Sequence, residues 1–190
     1  MEVTIHGVDI DKQNNEFNTI GDVFDKIEEN NSVIMKIVAD GKDITEYSNE
    51  EIKKLFPIKR LEVYSKKTRE LINESLIQAE NYLPRLISGI DDIIDKFNKG
   101  LEWEGYKMLS KSLEGFQWLN SLLMNLKSLD IISDERINSL INNWQEKLQE
   151  LQTAMENQDL ILISDLLEYE LLPILENYLD LVQEINSKNN

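Results

Sequence analysis

The sequence contains no cysteine and a single histidine, His6. Without cysteine there is no disulfide framework, no zinc–thiolate site and no thiol nucleophile. One imidazole cannot furnish a His-rich metal site, and a Ser-His-Asp triad would have to rest on His6 alone. No run of about 18 apolar residues is present to span a membrane. The opening "MEVTIHGVDI" lacks the basic and continuous apolar regions of a signal peptide. The sequons at Asn30 and Asn73 therefore carry no weight, and a cytoplasmic location is expected. There is no Gly-rich phosphate loop, and neither metal nor cofactor is expected.

Positive charge is the scarcer sign. Against 36 acidic side chains stand 20 basic ones, a net charge of −16. Phosphate backbones and anionic lipid surfaces reward Lys and Arg, so nucleic acid and membrane are poor partners for the molecule as a whole. Residues 1–66 carry 14 acidic and 9 basic side chains, and residues 67–190 carry 22 and 11. Between Lys147 and Lys188 there is no cation at all, whereas seven lie within residues 53–69.

What is present divides into two halves with different periods. The first third alternates strand and helix. "EVTIHGVDI" places Val3, Ile5, Val8 and Ile10 as a strand with a bend at Gly7. Thr19 caps a helix striped by Ile20, Val23, Phe24 and Ile27. "SVIMKIVADGKDIT" reads as a hairpin turning at Asp40-Gly41. Ser48 with Glu51 forms a capping box before a short helix, Pro57 ends it, and "RLEVYS" supplies a last strand. This order predicts a small β-grasp-like α+β unit at residues 1–66. Ubiquitin-like sulfur carriers share that architecture but act through a C-terminal Gly-Gly tail, which "SKKTREL" here replaces.

From Thr68 onward the period becomes 3.6, and residues 67–190 are predicted to form an antiparallel four-helix bundle. Leu101, Met108, Leu109, Phe116 and Leu119 belong to the second helix's apolar face. Ser133 is expected to cap a third helix striped by Ile137, Ile141, Trp144, Leu148, Leu151 and Met155. A fourth helix runs over residues 160–185, its core face holding Leu160, Ile163, Leu167, Leu171, Ile174, Leu175, Tyr178 and Val182. Pro84 and Pro173 each cost their helix a backbone hydrogen bond. A shift of 58 residues matches the apolar positions of the first bundle helix to those of the third. With one residue inserted, Gly100-Leu101 then falls on Asp159-Leu160. Amphipathic helices share part of such a register by chance, so a duplication of the helical hairpin is raised here and left open.

Carboxylates are the one reactive type in quantity. Five lie in the stretch 165–181, and on a helical wheel Asp165, Glu176 and Asp180 fall opposite the core face, with Glu170 at its border. Glu168 falls at the core edge, where an apolar setting would let it act as an acid. The plainer alternative is a boundary glutamate meeting a cation such as Arg85. Carboxylate-bridged iron sites need Glu-x-x-His pairs, which these helices lack. Residues 9–16 begin like a calcium loop but lack the sixth-position glycine and twelfth-position glutamate. Asp91, Asp92 and Asp95 read as a solvated helix face. Trp103 and Trp118 fall off the second helix's core face, and exposed tryptophans serve as binding anchors. The expected surface for a protein partner, possibly basic, is therefore Trp103 and Trp118 with Asp165, Glu176 and Asp180. Two rivals stand beside it: a carboxylate-only enzyme with Glu168 as its acid, and an acidic nucleic-acid mimic.

The segments "ADGKDIT", "RLEVYSKKTREL", "YLPRLISGIDDIID", "SLEGFQWLNSLL" and "DLLEYELLPILENYL" together resemble a family of small acidic bacterial proteins, mainly from low-GC Gram-positive bacteria. The Leu-Leu-Glu-Tyr-Glu-Leu-x-Pro segment, residues 166–173, is its most distinctive part. No established activity comes with that family, so the resemblance implies the domain layout and no site residues.

Overall fold

The computed structural model describes residues 1–7, 17, 19–129 and 134–189. Val8, Ile10, the calcium-loop-like stretch 9–16 and the expected cap Ser133 lie outside these residues. The chain divides into two compact units, Met1–Leu71 and Ile72–Asn190. The fold is α+β, a small mixed sheet at the N-terminus and helices thereafter.

In the first unit, β1 (Glu2–His6) is followed by α1 (Ile20–Glu29), β2 (Ser32–Ala39), β3 (Lys42–Asp43), α2 (Asn49–Lys54) and β4 (Arg60–Lys67). Among the described residues the strands form one sheet in the order β1-β4-β2-β3. β1 lies parallel to β4, and β2 is antiparallel to both β4 and β3. Local chemistry sets these elements. Thr19 accepts from Asp22 N–H while the Asp22 carboxylate accepts from Thr19 N–H, closing a capping box on α1. Ser48 and Glu51 do the same for α2.

The hairpin turns at Asp40 and Gly41, both with positive φ (48° and 83°), as a tight turn matched to strand twist requires. The Asp40 carboxylate also accepts from the backbone N–H groups of Arg60 (2.7 Å) and Lys59 (3.1 Å), tying the hairpin tip to β4. Those two backbone bonds hold its pKa below the ordinary carboxylate value. Val23, Ile27, Ile44, Leu61 and Val63 close the core between sheet and helices.

The second unit is built on α3 (Thr68–Asn98, of which residues 72–98 belong to it), α4 (Glu102–Ser128) and α5 (Asp134–Glu156), each a continuous helix. The expected fourth helix is three pieces: α6 (Leu160–Asp165), a π-helical segment (Leu166–Leu171) and α7 (Leu172–Asn189). In the π-helical segment Leu172 N–H reaches back five residues to Leu167 O, so each turn holds an extra residue. One apolar core joins all of these helices, with Leu83, Ile90, Leu109, Phe116, Trp144, Leu167 and Tyr178 at its centre. Contacts 96–104 and 82–118 run α3 and α4 in opposite directions. Contacts 136–184 and 147–170 do so for α5 against the α6–α7 run.

Two small residues admit large neighbours. A Cβ on Gly105 would meet the Phe97 ring at 2.5 Å, and one on Gly115 would meet the Tyr82 hydroxyl at 1.9 Å. Leu101, expected on the core face, is instead 40% exposed, because the chain turns there before α4 begins.

Candidate interaction surface

Trp103 stands in the first turn of α4 and is 72% exposed. Its ring is covered on one side only by Lys107, one helical turn on, whose Nζ lies 4.8 Å from the ring centroid. Such a contact contributes about 0.5–1 kcal/mol at an exposed site and leaves the other face of the indole free. Trp118 is different. It is half-buried, packs against the helical core and meets Tyr82 edge-to-face at 5.7 Å. The two tryptophans paired on the helical wheel are thus separated: Trp103 is open to solvent and Trp118 is mostly absorbed by packing.

The structure adds a residue that the periodicity passed over. Ile161, in the first turn of α6, is 77% exposed, and its neighbour Leu162 is 43% exposed. Ile161 stands 58 residues after Trp103. Both belong to the same end of the helical unit, since the Tyr106 hydroxyl, raised chiefly by burial, is raised further by the charges of both Glu102 and Asp159. The sequence signal was present in "LILIS", where four apolar residues in five cannot all face one core on a helix.

Cations at this end are already engaged. Lys96 bonds Glu104 at 2.8 Å, which raises its pKa, and Lys99 bonds Asp95 at 2.6 Å. Glu102 and Asp159 have no ion pair among the described residues, and Asp159 spends one oxygen capping Leu162 N–H.

Asp165, Glu176 and Asp180 are exposed, as the wheel placed them. Among the described residues none of the three has an ion pair. Asp180 lines an open groove of about 460 Å³ between α5 and α7, together with Glu135, Arg136, Asn143 and Ile174. Glu170 is met by Lys147 at 3.8 Å.

Glu168 corrects the wheel. It is exposed rather than at the core edge, because the π-helical segment turns the helix by an extra residue and brings Leu166 inward beside Leu167 instead. Its partner is Tyr169, whose phenol the Glu168 charge raises above its ordinary value while also accepting its hydrogen bond. Arg85 does not meet it: its Nε donates to Asn81 O at 3.1 Å. Among the described residues no group of His, Asp and Glu is arranged to hold a metal ion, and no helix is long and apolar enough to cross a membrane.

Glu184 lies between two cations, with Lys188 at 2.6 Å and Arg136 beside it. The Lys188 hydrogen bond first, and then Arg136, pull its carboxyl from 4.5 to about 2. A depressed folded pKa contributes stability that is complete above the unfolded value and lost as pH falls through the folded one. Between pH 4.5 and 2, native protein should therefore lose stability that Glu184→Gln does not lose. Parallel acid titrations of helical circular dichroism for the two proteins check this, and identical profiles would contradict it.

These features define an α+β protein with a small mixed sheet and a helical unit whose two most exposed large apolar side chains among the described residues, Trp103 and Ile161, stand in the first turns of α4 and α6. Residues 74–181, more than half of the chain and all within the second unit, match a domain of unknown function (DUF8042), and the chain belongs to that family. No curated protein and no solved structure matches it.

Proposed function

We propose that the chain is a non-catalytic protein-interaction module, adaptor- or chaperone-like, that binds through the exposed end of its helical unit. The observation that carries this reading is Trp103, 72% exposed in a chain whose other two tryptophans pack into the helices. A large rigid aromatic in solvent is costly to display and effective as an anchor. Ile161 and Leu162 add exposed apolar side chains at the same end, and Asp165, Glu176 and Asp180 give the α6–α7 run a negative field that steers a basic partner. We read the scaffold as a β-grasp-like sheet unit followed by an antiparallel four-helix bundle. The parallel pairing of the first and last strands supports the former, and the opposed helix pairs around one core support the latter.

The carboxylate-only enzyme is set behind this reading, since an exposed Glu168 lacks the apolar surroundings that its acid role requires. The acidic mimic is separated by experiment. Partners captured from cells that make the protein are titrated against native protein, Trp103→Ala, and the triple change Asp165→Asn, Glu176→Gln, Asp180→Asn. Trp103→Ala should weaken binding at least tenfold, about 1.4 kcal/mol, with helicity unchanged. The triple change should slow association and reduce its salt dependence. Binding abolished by the triple change and indifferent to Trp103→Ala would favour the mimic.

A further inference from the structure

Two turns in the helical unit are built alike, 58 residues apart. At the end of α3, Gly100 N–H donates to Phe97 O (3.0 Å), Leu101 N–H to Lys96 O (2.9 Å) and Lys99 N–H to Asp95 O (3.1 Å). At the end of α5, Gln158 N–H donates to Met155 O (3.1 Å), Asp159 N–H to Ala154 O (3.0 Å) and Asn157 N–H to Thr153 O (3.1 Å). Both are Schellman closures around a left-handed residue, Gly100 at φ 72° and Gln158 at φ 55°. The next helix then restarts with the same bond, Gly105 N–H to Leu101 O and Ile163 N–H to Asp159 O. Such closures are common singly. The additional fact is that the buried faces on either side keep the same spacing: Leu83 with Ile141, Leu86 with Trp144, and, past the turn, Leu109 with Leu167. The single inserted residue that the sequence alone places at the turn is therefore not there.

It is further on. Beyond the π-helical segment the buried residues match at a spacing of 59: Leu119 with Tyr178, Leu122 with Leu181, Leu126 with Ile185. Keeping 58 would set the exposed Asn177 and Asp180 against the buried Leu119 and Leu122. The spacing changes across Leu166–Leu171, the one stretch among the described residues where a helix holds an extra residue per turn. Proline does not explain that stretch, since α3 carries Pro84 without any widening.

A third observation is geometric. The buried Tyr178 hydroxyl donates to Leu119 O at 3.1 Å, and these two residues are counterparts at the spacing of 59. In a pair of units related by two-fold rotation, counterparts touch only near the axis.

We propose that the helical unit is a tandem pair of one helical hairpin, α3–α4 and α5–α7, related by an approximate two-fold axis, and that the π-helical segment is one residue added to the second copy. The added residue displaces Glu168, Tyr169 and Glu170 outward and leaves both buried faces in place. In the first copy the counterpart of Tyr169 is Lys111, in an unwidened helix. The repeat also relates the two most exposed large apolar residues of the unit, Trp103 and Ile161, which occupy the same position in their copies.

The test is deletion at matched positions in the full chain. Removing Tyr169 should return the second copy to a regular helix, with the melting temperature lowered by no more than about 3 °C, or raised. Removing Lys111, where no residue is spare, should rotate the rest of α4 out of register and lower the melting temperature by roughly 10 °C or more. Inserting one alanine after Lys111 should be taken up as a new widened turn, seen as fast amide exchange confined to the residues around it. Two results would overturn the proposal: equal damage from the two deletions, or a Tyr169 deletion that keeps the widened turn and displaces the buried face of α7.

Discussion

Replacing Trp144 with alanine should destabilise the helical unit by about 3–5 kcal/mol, a fall in melting temperature on the order of 10–20 °C. The indole is fully buried and meets the Phe116 ring edge-to-face at 5.4 Å with the ring planes perpendicular. It belongs to one core built from every helix of the unit, so no single element can shift to close the space an alanine leaves. The loss therefore combines transfer of a large apolar side chain with a cavity that persists. Trp144→Phe keeps the ring contact and most of the volume and should cost less than half as much. Thermal unfolding followed by circular dichroism gives the comparison. A loss below about 1.5 kcal/mol for Trp144→Ala would mean that this core is not packed as described.

The same substitution at Trp103 should change stability by less than about 0.5 kcal/mol, since an exposed side chain leaves no cavity behind. The contrast shows what the sequence made legible. Trp144 follows Ile137 and Ile141 at helical spacing, so its burial could be read from periodicity alone. Trp103 and Trp118 both fall off the stripe of α4, and periodicity treats them alike. What separates them is a partner on another helix: Tyr82 of α3 reaches the backbone gap at Gly115 and covers Trp118. No property of α4 by itself carries that information.

A similar limit explains the last helix. A wheel assumes a constant angle per residue, and within residues 160–185 that assumption holds on either side of the π-helical segment but not across it. Positions from Ile174 onward were placed correctly because their faces were read relative to one another. Glu168 was not, because it lies within the widened segment itself. The caps, by contrast, are local chemistry. Thr19 with Asp22 and Ser48 with Glu51 involve residues three apart, and Asp40-Gly41 encodes its own turn, so these boundaries could be read directly.

Gly7→Ala should be the most damaging conservative change in the first unit, at about 2–5 kcal/mol. Two independent costs combine there. Gly7 has φ 88°, a left-handed conformation that side chains adopt only with strain. A Cβ at this position would also stand 1.8 Å from Ser65 O, a backbone atom of β4 that cannot swing aside as a side-chain tip could. β1 ends at His6, and Ser65 Oγ donates to His6 O at 3.0 Å to hold that end against β4. Relief of the clash requires β1 and β4 to part, and with them the parallel pairing from Glu2–Arg60 to His6–Tyr64. Amide exchange at Val3, Ile5 and Val63 should accelerate in Gly7→Ala by at least tenfold. Gly41→Ala makes a matched control, because its φ is equally left-handed (83°) but nothing lies within 4 Å of its Cβ position. If the two alanine variants lose the same stability, the close approach to Ser65 contributes nothing, and backbone strain alone accounts for glycine at position 7.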